Sequence, residues 1–393
     1  MHMSYEIIRR VFLMLGTTFF FSLGITPIVK MIAKHVGALD IPNERKVHKV
    51  PMPRLGGLSI FFGFLLGYML FGEQSVVMNS ILIASFVVIL IGVFDDIKPL
   101  RALVKFIGQL AAACIIVFYG NIILQDVSAF GIYIDFRCFA IPFTIFFILG
   151  CINCMNLIDG LDGLAAGISS IYFATVGIIA IMQGKFGLDF LLTFIMLGST
   201  LGFLVHNFNP ATIFMGDSGS MFLGLIISVI ALLGFKNVTM TSLIIPLLLL
   251  AIPILDTVFA IIRRTLKGEK ISTPDKYHIH HQLLKRNLSQ KQTVLSIYVI
   301  NILFAFASIV YVLKDAKLGY IIYGILLAIV LIFVLTTDVV YDSSNLRDKI
   351  KKKILHKEEP KENKKEKPKT KETTKKQTTK TIPKKKKNQT KKK

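Results

Sequence analysis

Continuous apolar runs about twenty residues long, repeated along most of the chain, constrain this protein more than any other feature of its sequence. A helix crossing a hydrocarbon core of roughly 30 Å needs about 20 apolar residues at 1.5 Å each. Within lipid the backbone polar groups must be satisfied inside a helix or a closed barrel. The runs here are unbroken rather than alternating, which excludes a transmembrane β-barrel. The chain has 393 residues, 53% of them hydrophobic, and a mean hydropathy of +0.63. The expected fold is an all-α polytopic integral membrane protein with about 11 transmembrane helices. They are predicted near residues 11–33, 56–72, 76–94, 103–119, 137–157, 164–182, 188–206, 218–235, 240–262, 292–313 and 318–337.

The connections fall into two alternating sets, and positive charge gathers in one of them: Arg45, Lys46, Lys49, Arg54, Lys98, Arg101, Arg263, Arg264, Lys267 and Lys270. The positive-inside rule makes that face cytoplasmic. Arg9 and Arg10 would lie on the other side, against the rule. No internal repeat points to the inverted halves of a transporter. From about Asp338 the chain carries 22 Lys and Arg against 8 Asp and Glu, about two thirds of the +22 net charge. It splits accordingly into a transmembrane domain, 1–337, and a Lys-rich cytoplasmic tail, 338–393, expected to be disordered. Beside a membrane such a tail points to anionic lipid rather than nucleic acid. Four cysteines make no disulfide framework, and Cys151 and Cys154, inside an apolar run, read as small packing residues.

The polar residues that interrupt this pattern all fall on the basic face. Asn153, Asn156, Asp159 and Asp162 sit where one apolar run ends and the next begins, beside Gly160 and Gly163. An Asp in mid-membrane costs roughly 2.5–3.5 kcal/mol on insertion scales, so acids at a span end mark a polar pocket at the surface. The pair Asp95-Asp96 needs a cation or base between its carboxylates, or else is a solvated pair near Lys98 and Arg101. Oxygen-only ligands suit Mg²⁺, with Mn²⁺ as the alternative. The first loop joins Asp40, His48, Lys49 and Arg54 to three prolines and the pair Gly56-Gly57, a combination suited to a diphosphate. Asn207, then Phe214-Met-Gly-Asp217-Ser-Gly-Ser220, lies at an expected helix start. There Ser218 or Ser220 would cap, a phosphate would be attracted, and Phe214 could stack on a base. His278, His280 and His281 follow Arg263 and Arg264; with no Cys or HExxH partner, they read as phosphate or sugar donors rather than zinc ligands. Together these groups suit Mg²⁺-dependent phosphoryl transfer between a soluble diphosphate and a lipid.

Asp95-Asp96, the NxxNxxDGxDG stretch Asn153–Gly163, FMGDSGS at 214–220 and HIHH at 278–281 occur in the order that the polyprenyl-phosphate N-acetylhexosamine-1-phosphate transferases (glycosyltransferase family 4) show. The chain resembles that family from about residue 20 to 335. The resemblance implies transfer of a sugar 1-phosphate from a UDP-amino sugar to undecaprenyl phosphate, with UMP released, at a bacterial plasma membrane. Asp40-Ile-Pro-Asn43, Arg45-Lys46-Val-His48 and Pro53-Arg54-Leu-Gly56-Gly57 resemble the branch that uses UDP-GlcNAc to start teichoic acid, O-antigen or related glycans. The peptidoglycan branch, which uses UDP-MurNAc-pentapeptide, carries a different loop and HHH in place of HIHH.

By the same resemblance Asp217 is the principal Mg²⁺ ligand, with Asp95 and Asp96 close by, and Asp96 or Asp95 acts on the lipid phosphate. Asn156, Asp159, Asp162, Asn207 and Phe214 line the nucleotide pocket. His48, Lys49, Arg54, Arg263, Arg264, His278, His280 and His281 hold phosphates or sugar. Asp40 belongs to the same substrate loop, and a homodimer is implied by likeness alone. A transporter would instead carry its acids at mid-membrane. The CDP-alcohol phosphatidyltransferase pattern is absent after Asp162-Gly163.

Overall fold

The structure is a computed structural model that describes residues 5–42, 50–129, 132–236, 249–266, 268, 279–313 and 316–335. Helix α1 (Tyr5–His35) is followed by a two-residue antiparallel pair, β1 (Leu39–Asp40) with β2 (Met52–Pro53). Next come α2 (Gly57–Phe71), α3 (Val76–Ile97) and α4 (Ala102–Cys114), the last running into one π-turn at Ile115–Tyr119. A hairpin of β3 (Asp126–Ala129) and β4 (Ile132–Asp135) leads to α5 (Ala140–Ile158), α6 (Leu164–Gln183), α7 (Leu188–Asn207) and α8 (Gly216–Lys236). The remaining helices are α9 (Ala251–Leu266), α10 (Ile279–Lys285), α11 (Gln290–Leu313) and α12 (Ala316–Leu335).

Among the described residues nine helices are long and apolar enough to cross a membrane, and the chain is a multi-pass membrane protein. Two of the eleven expected spans are not among the nine. Helix α2 has 15 residues, short for a full crossing, and part of 240–262 lies outside the described residues. The tail from 338 also lies outside them.

Helix ends follow local chemistry. Ser75 caps α3 by accepting the Met78 N–H at 3.0 Å, and Pro99 stops the helix two residues past Ile97. Gly184, at φ 69°, closes α6. Buried hydroxyls inside the spans are largely satisfied by their own helix: Thr18, Thr26, Ser85, Ser170 and Ser199 each donate to the carbonyl four residues earlier. Helix α8 is the most enclosed span, packed between α3 and α5, while α7 packs against α1 and α6. Phe61 and Phe64 of α2 meet Phe222 of α8 edge-on at 5.4 and 5.5 Å.

Two expectations change here. Asp95 and Asp96 were expected in a connection, but α3 runs through both and buries them at 5% and 2% exposure. Lys98 and Arg101, their expected neighbours, are exposed. Cys151 and Cys154 are free thiols buried in α5, as expected of packing residues.

Candidate active site

The site is built around the start of α8. Asp96, reaching over from α3, takes up its first free N–H groups: Oδ1 accepts from Asp217 N at 2.9 Å, and Oδ2 accepts from Ser218 N at 3.1 Å and Ser218 Oγ at 2.8 Å. A carboxylate at a helix N-terminus satisfies orphan donors and complements the helix dipole. This arrangement corrects the expected cap. Ser218 donates its hydroxyl to Asp96, and Ser220 donates to the Gly216 carbonyl at 3.2 Å. The approach is tight, because Gly57 and Gly92 let the backbones of α2 and α3 touch α8 directly. A methyl at Gly92 would sit 2.3 Å from Ser218 Cα, and one at Gly57 2.1 Å from Gly219 N.

Pairing of the first loop with the segment entering α8 fixes that loop. Phe214 N donates to Pro53 O at 2.8 Å, Gly56 N to Phe214 O at 2.9 Å and Gly57 N to Met215 O at 2.8 Å. This register places Arg54 beside the end of α3, where Nε and Nη2 donate to the carbonyls of Asp96 and Asp95 at 3.1 and 3.0 Å. Its guanidinium also lies 3.6 Å from Asp40 and 3.8 Å from the Asp96 carboxylate.

Lys105 completes the centre. Its ammonium bridges Asp217 at 2.5 Å and Asp95 at 3.3 Å, while Asp95 also accepts the Leu100 N–H at 2.8 Å. Sequence reasoning missed this lysine. The available signal was a lone cation inside the apolar run 103–119, and an ionisable residue in a span is functional by default. Asn156 reaches Asp217 as well and donates to Ser220 Oγ at 2.9 Å. Asn153, one turn earlier, faces away and donates to Gln109 at 2.9 Å.

A cavity of about 510 Å³ opens onto this centre. Asp40, Arg54, Asp96, Asp159, Asp162, Asn207, Phe214, Asp217 and His281 line it together with Val50, Met52, Pro210 and Gln290. Its volume lies in the range of small-molecule sites. Two of these residues shape the walls: Asp162 accepts from Asn209 Nδ2 at 2.9 Å and Ala211 N at 3.1 Å, and buried Asn207 ties Gly163 N to the Ile213 carbonyl. Asp159 differs. No described residue donates a hydrogen bond to its carboxyl, and its ionisation is opposed by burial first, then by Asp217, Asp96 and Asp162, which holds its pKa well above the usual carboxylate range.

The oxygen-rich set fits a hard divalent cation. Among the described residues no three acid, His or Cys groups converge tightly enough to enclose a metal. Mg²⁺, however, commonly takes only one or two carboxylates, with waters and substrate phosphates completing its shell. Asp217 and Asp159 offer that number.

The structure therefore brings together nine of the residues singled out from sequence around one cavity. Asp95 and Asn156 stand behind it, bonded to groups that line it. Arg263 and Arg264 are buried on α9 and do not line it. His48, Lys49 and His278, and the side chain of His280, lie outside the described residues.

Comparison with known proteins agrees with this geometry. The glycosyl transferase family 4 profile matches residues 78–235, which run from the first turn of α3 to the last turn of α8 and include the acids at their ends. A Bacillus subtilis (strain 168) protein named "probable undecaprenyl-phosphate N-acetylglucosaminyl 1-phosphate transferase" is 44% identical over 75% of this chain and 82% of its own length. The decaprenyl-phosphate N-acetylglucosaminephosphotransferase of Mycobacterium tuberculosis (strain CDC 1551 / Oshkosh) is 34% identical over 69% of this chain and 75% of its own. An undecaprenyl-phosphate alpha-N-acetylglucosaminyl 1-phosphate transferase of Haemophilus influenzae is 32% identical over 69% and 78%. With its acids, lysine and glycines assembled at one end of a helical membrane bundle, the chain belongs to glycosyl transferase family 4 and is an enzyme of the polyprenyl-phosphate sugar-1-phosphate transferase kind.

Proposed function

We propose that this enzyme transfers GlcNAc-1-phosphate from UDP-GlcNAc to undecaprenyl phosphate, giving undecaprenyl-diphospho-GlcNAc and UMP. The reaction would be Mg²⁺-dependent, run on the cytoplasmic face of a bacterial plasma membrane, and open the synthesis of a cell-envelope glycan such as teichoic acid or O-antigen. The names of the relatives support the donor and the acceptor class. The observation that carries the chemistry is a cavity lined by Asp217, Asp159, Arg54 and His281, with Lys105 bound to the Asp217 carboxylate beside it.

The lipid monophosphate, with a second pKa near 6, is largely dianionic at neutral pH and needs little help from a base. What opposes reaction is repulsion between that dianion and the donor's diphosphate. Arg54 and His281 bring positive or donor groups into the cavity lining, and Lys105 offsets the charge of Asp217 beside it. Mg²⁺, held by Asp217 and Asp159, would neutralise diphosphate charge and stabilise the leaving UMP. A lipid phosphate oxygen then bonds to the sugar-bearing phosphorus as the bond from that phosphorus to the UMP oxygen breaks. Asp96 is poorly suited to a covalent route, since both its oxygens already accept hydrogen bonds from α8. Its role is to hold Asp217 in place.

The test is conversion of radiolabelled UDP-GlcNAc to lipid product by the purified protein with undecaprenyl phosphate, with and without Mg²⁺, beside Asp217→Asn. Mg²⁺-dependent label in lipid, lost in the variant, is the expected result. Label only from UDP-MurNAc-pentapeptide would move the protein to the peptidoglycan branch, and no transfer from any UDP-sugar would overturn the reaction.

A further inference from the structure

The described part of the HIHH segment, residues 279–281, is anchored by another helix. Asp256 of α9 is 2% exposed, and its Oδ1 accepts the backbone N–H of Ile279 at 2.7 Å. Ile279 is the second residue of the motif, and His281, two positions on, lines the cavity. The acid therefore grips the motif by its backbone. An apolar residue at 256 would leave the buried Ile279 N–H without this acceptor.

The same device occurs twice more in the site. Asp96 takes the N–H groups of Asp217 and Ser218, and Asp162 takes that of Ala211. In each case a carboxylate on one segment binds the backbone of a second segment that carries cavity residues. Asp256 is the member of this set that does not itself line the cavity.

We propose that Asp256 is a positioning residue for the transfer reaction: by holding Ile279 it sets the backbone of residues 279–281 so that His281 faces the donor. This rests on the cavity's being the donor site. The experiment uses the full-length protein in detergent with Asp256→Ala and Asp256→Asn, and has two readouts. Hydrogen exchange over residues 279–285 needs no substrate, and steady-state kinetics give KM for UDP-GlcNAc and for the lipid separately. Asp256→Ala is expected to speed exchange in that segment and raise the donor KM about tenfold or more, the size of one charge-assisted hydrogen bond, with the lipid KM unchanged. Asp256→Asn keeps a carbonyl acceptor and should restore both readouts to within about threefold. Unchanged exchange in the alanine variant, an equal rise in both KM values, or an asparagine variant as impaired as alanine would each overturn the assignment. If the wild type does not use UDP-GlcNAc, the reaction fails as a reading while the exchange comparison still decides whether Asp256 is the anchor.

Discussion

Replacing Gly92 by alanine tests whether the site depends on how closely α3 approaches α8, without altering any polar group. The added methyl would lie 2.3 Å from Ser218 Cα and 2.5 Å from Ser218 N, both backbone atoms. Ordinary carbon contacts begin near 3.5 Å, so the two helices must part by about 1 Å. That movement draws Ser218 and Asp217 from Asp96, whose hydrogen bonds to them span 2.8–3.1 Å. Overpacking of this kind costs about 1–3 kcal/mol of stability. A misplacement of about 1 Å in a catalytic constellation costs on the order of 10²-fold in rate. Gly92→Ala should therefore lose about a hundredfold in kcat while remaining folded, measured as lipid-linked product per enzyme beside a thermal-unfolding curve. Gly57→Ala approaches α8 from the other side, 2.1 Å from Gly219 N, and should behave alike. Gly150→Ala on α5 meets nothing within 4 Å and should be silent. Wild-type turnover in both Gly92→Ala and Gly57→Ala would refute the claim that α8's position controls the reaction.

Three further outcomes follow from the same contacts. Asp96→Asn exchanges one acceptor oxygen for an NH₂ group facing the α8 N–H groups, and should cost about 1–3 kcal/mol of stability without any phospho-sugar adduct forming on the wild-type enzyme; isolating such an adduct at Asp96 in the absence of lipid would reinstate a covalent route. Lys105→Met leaves Asp95 and Asp217 facing each other without their shared ammonium, and should lower kcat by on the order of 10²–10³-fold; turnover within threefold of wild type would remove Lys105 from the chemistry. Asp159 gives a pH signature. Its raised pKa means that the folded protein keeps a proton that the unfolded chain releases near 3.8. Stability of the metal-free enzyme should accordingly be greatest at low pH for this group and fall as pH rises from about 3.8 to the raised value. Asp159→Asn should flatten that slope in thermal unfolding, and an unchanged slope would assign it elsewhere.

Much of this was legible in the chain because the membrane imposes a simple rule on sequence. Apolar length gives the helices, and polar residues at their ends stand out against that background, so Asp40, Arg54, Asp96, Asp159, Asp162, Asn207, Phe214, Asp217 and His281 are evident in the sequence alone. Where the expectation failed, pairing across long sequence separations was the reason. Asp95 and Asp96 read as loop acids beside Lys98 and Arg101, since only α8 arriving 121 residues later makes burial of Asp96 favourable. Lys105 looked like part of a span because its partners, Asp95 and Asp217, lie 10 and 112 residues away.

The sequence by itself determined that this chain is a helical membrane protein with one polar, acid-rich end, because hydropathy and charge act locally along the chain. The tertiary structure decided what each acid does. Asp96, Asp162 and Asp256 hold backbone N–H groups, whereas Asp159 and Asp217 are left to face the cavity. That division depends on which backbone N–H groups the folded helices bring within about 3 Å of each carboxylate, and no local pattern of residues encodes it.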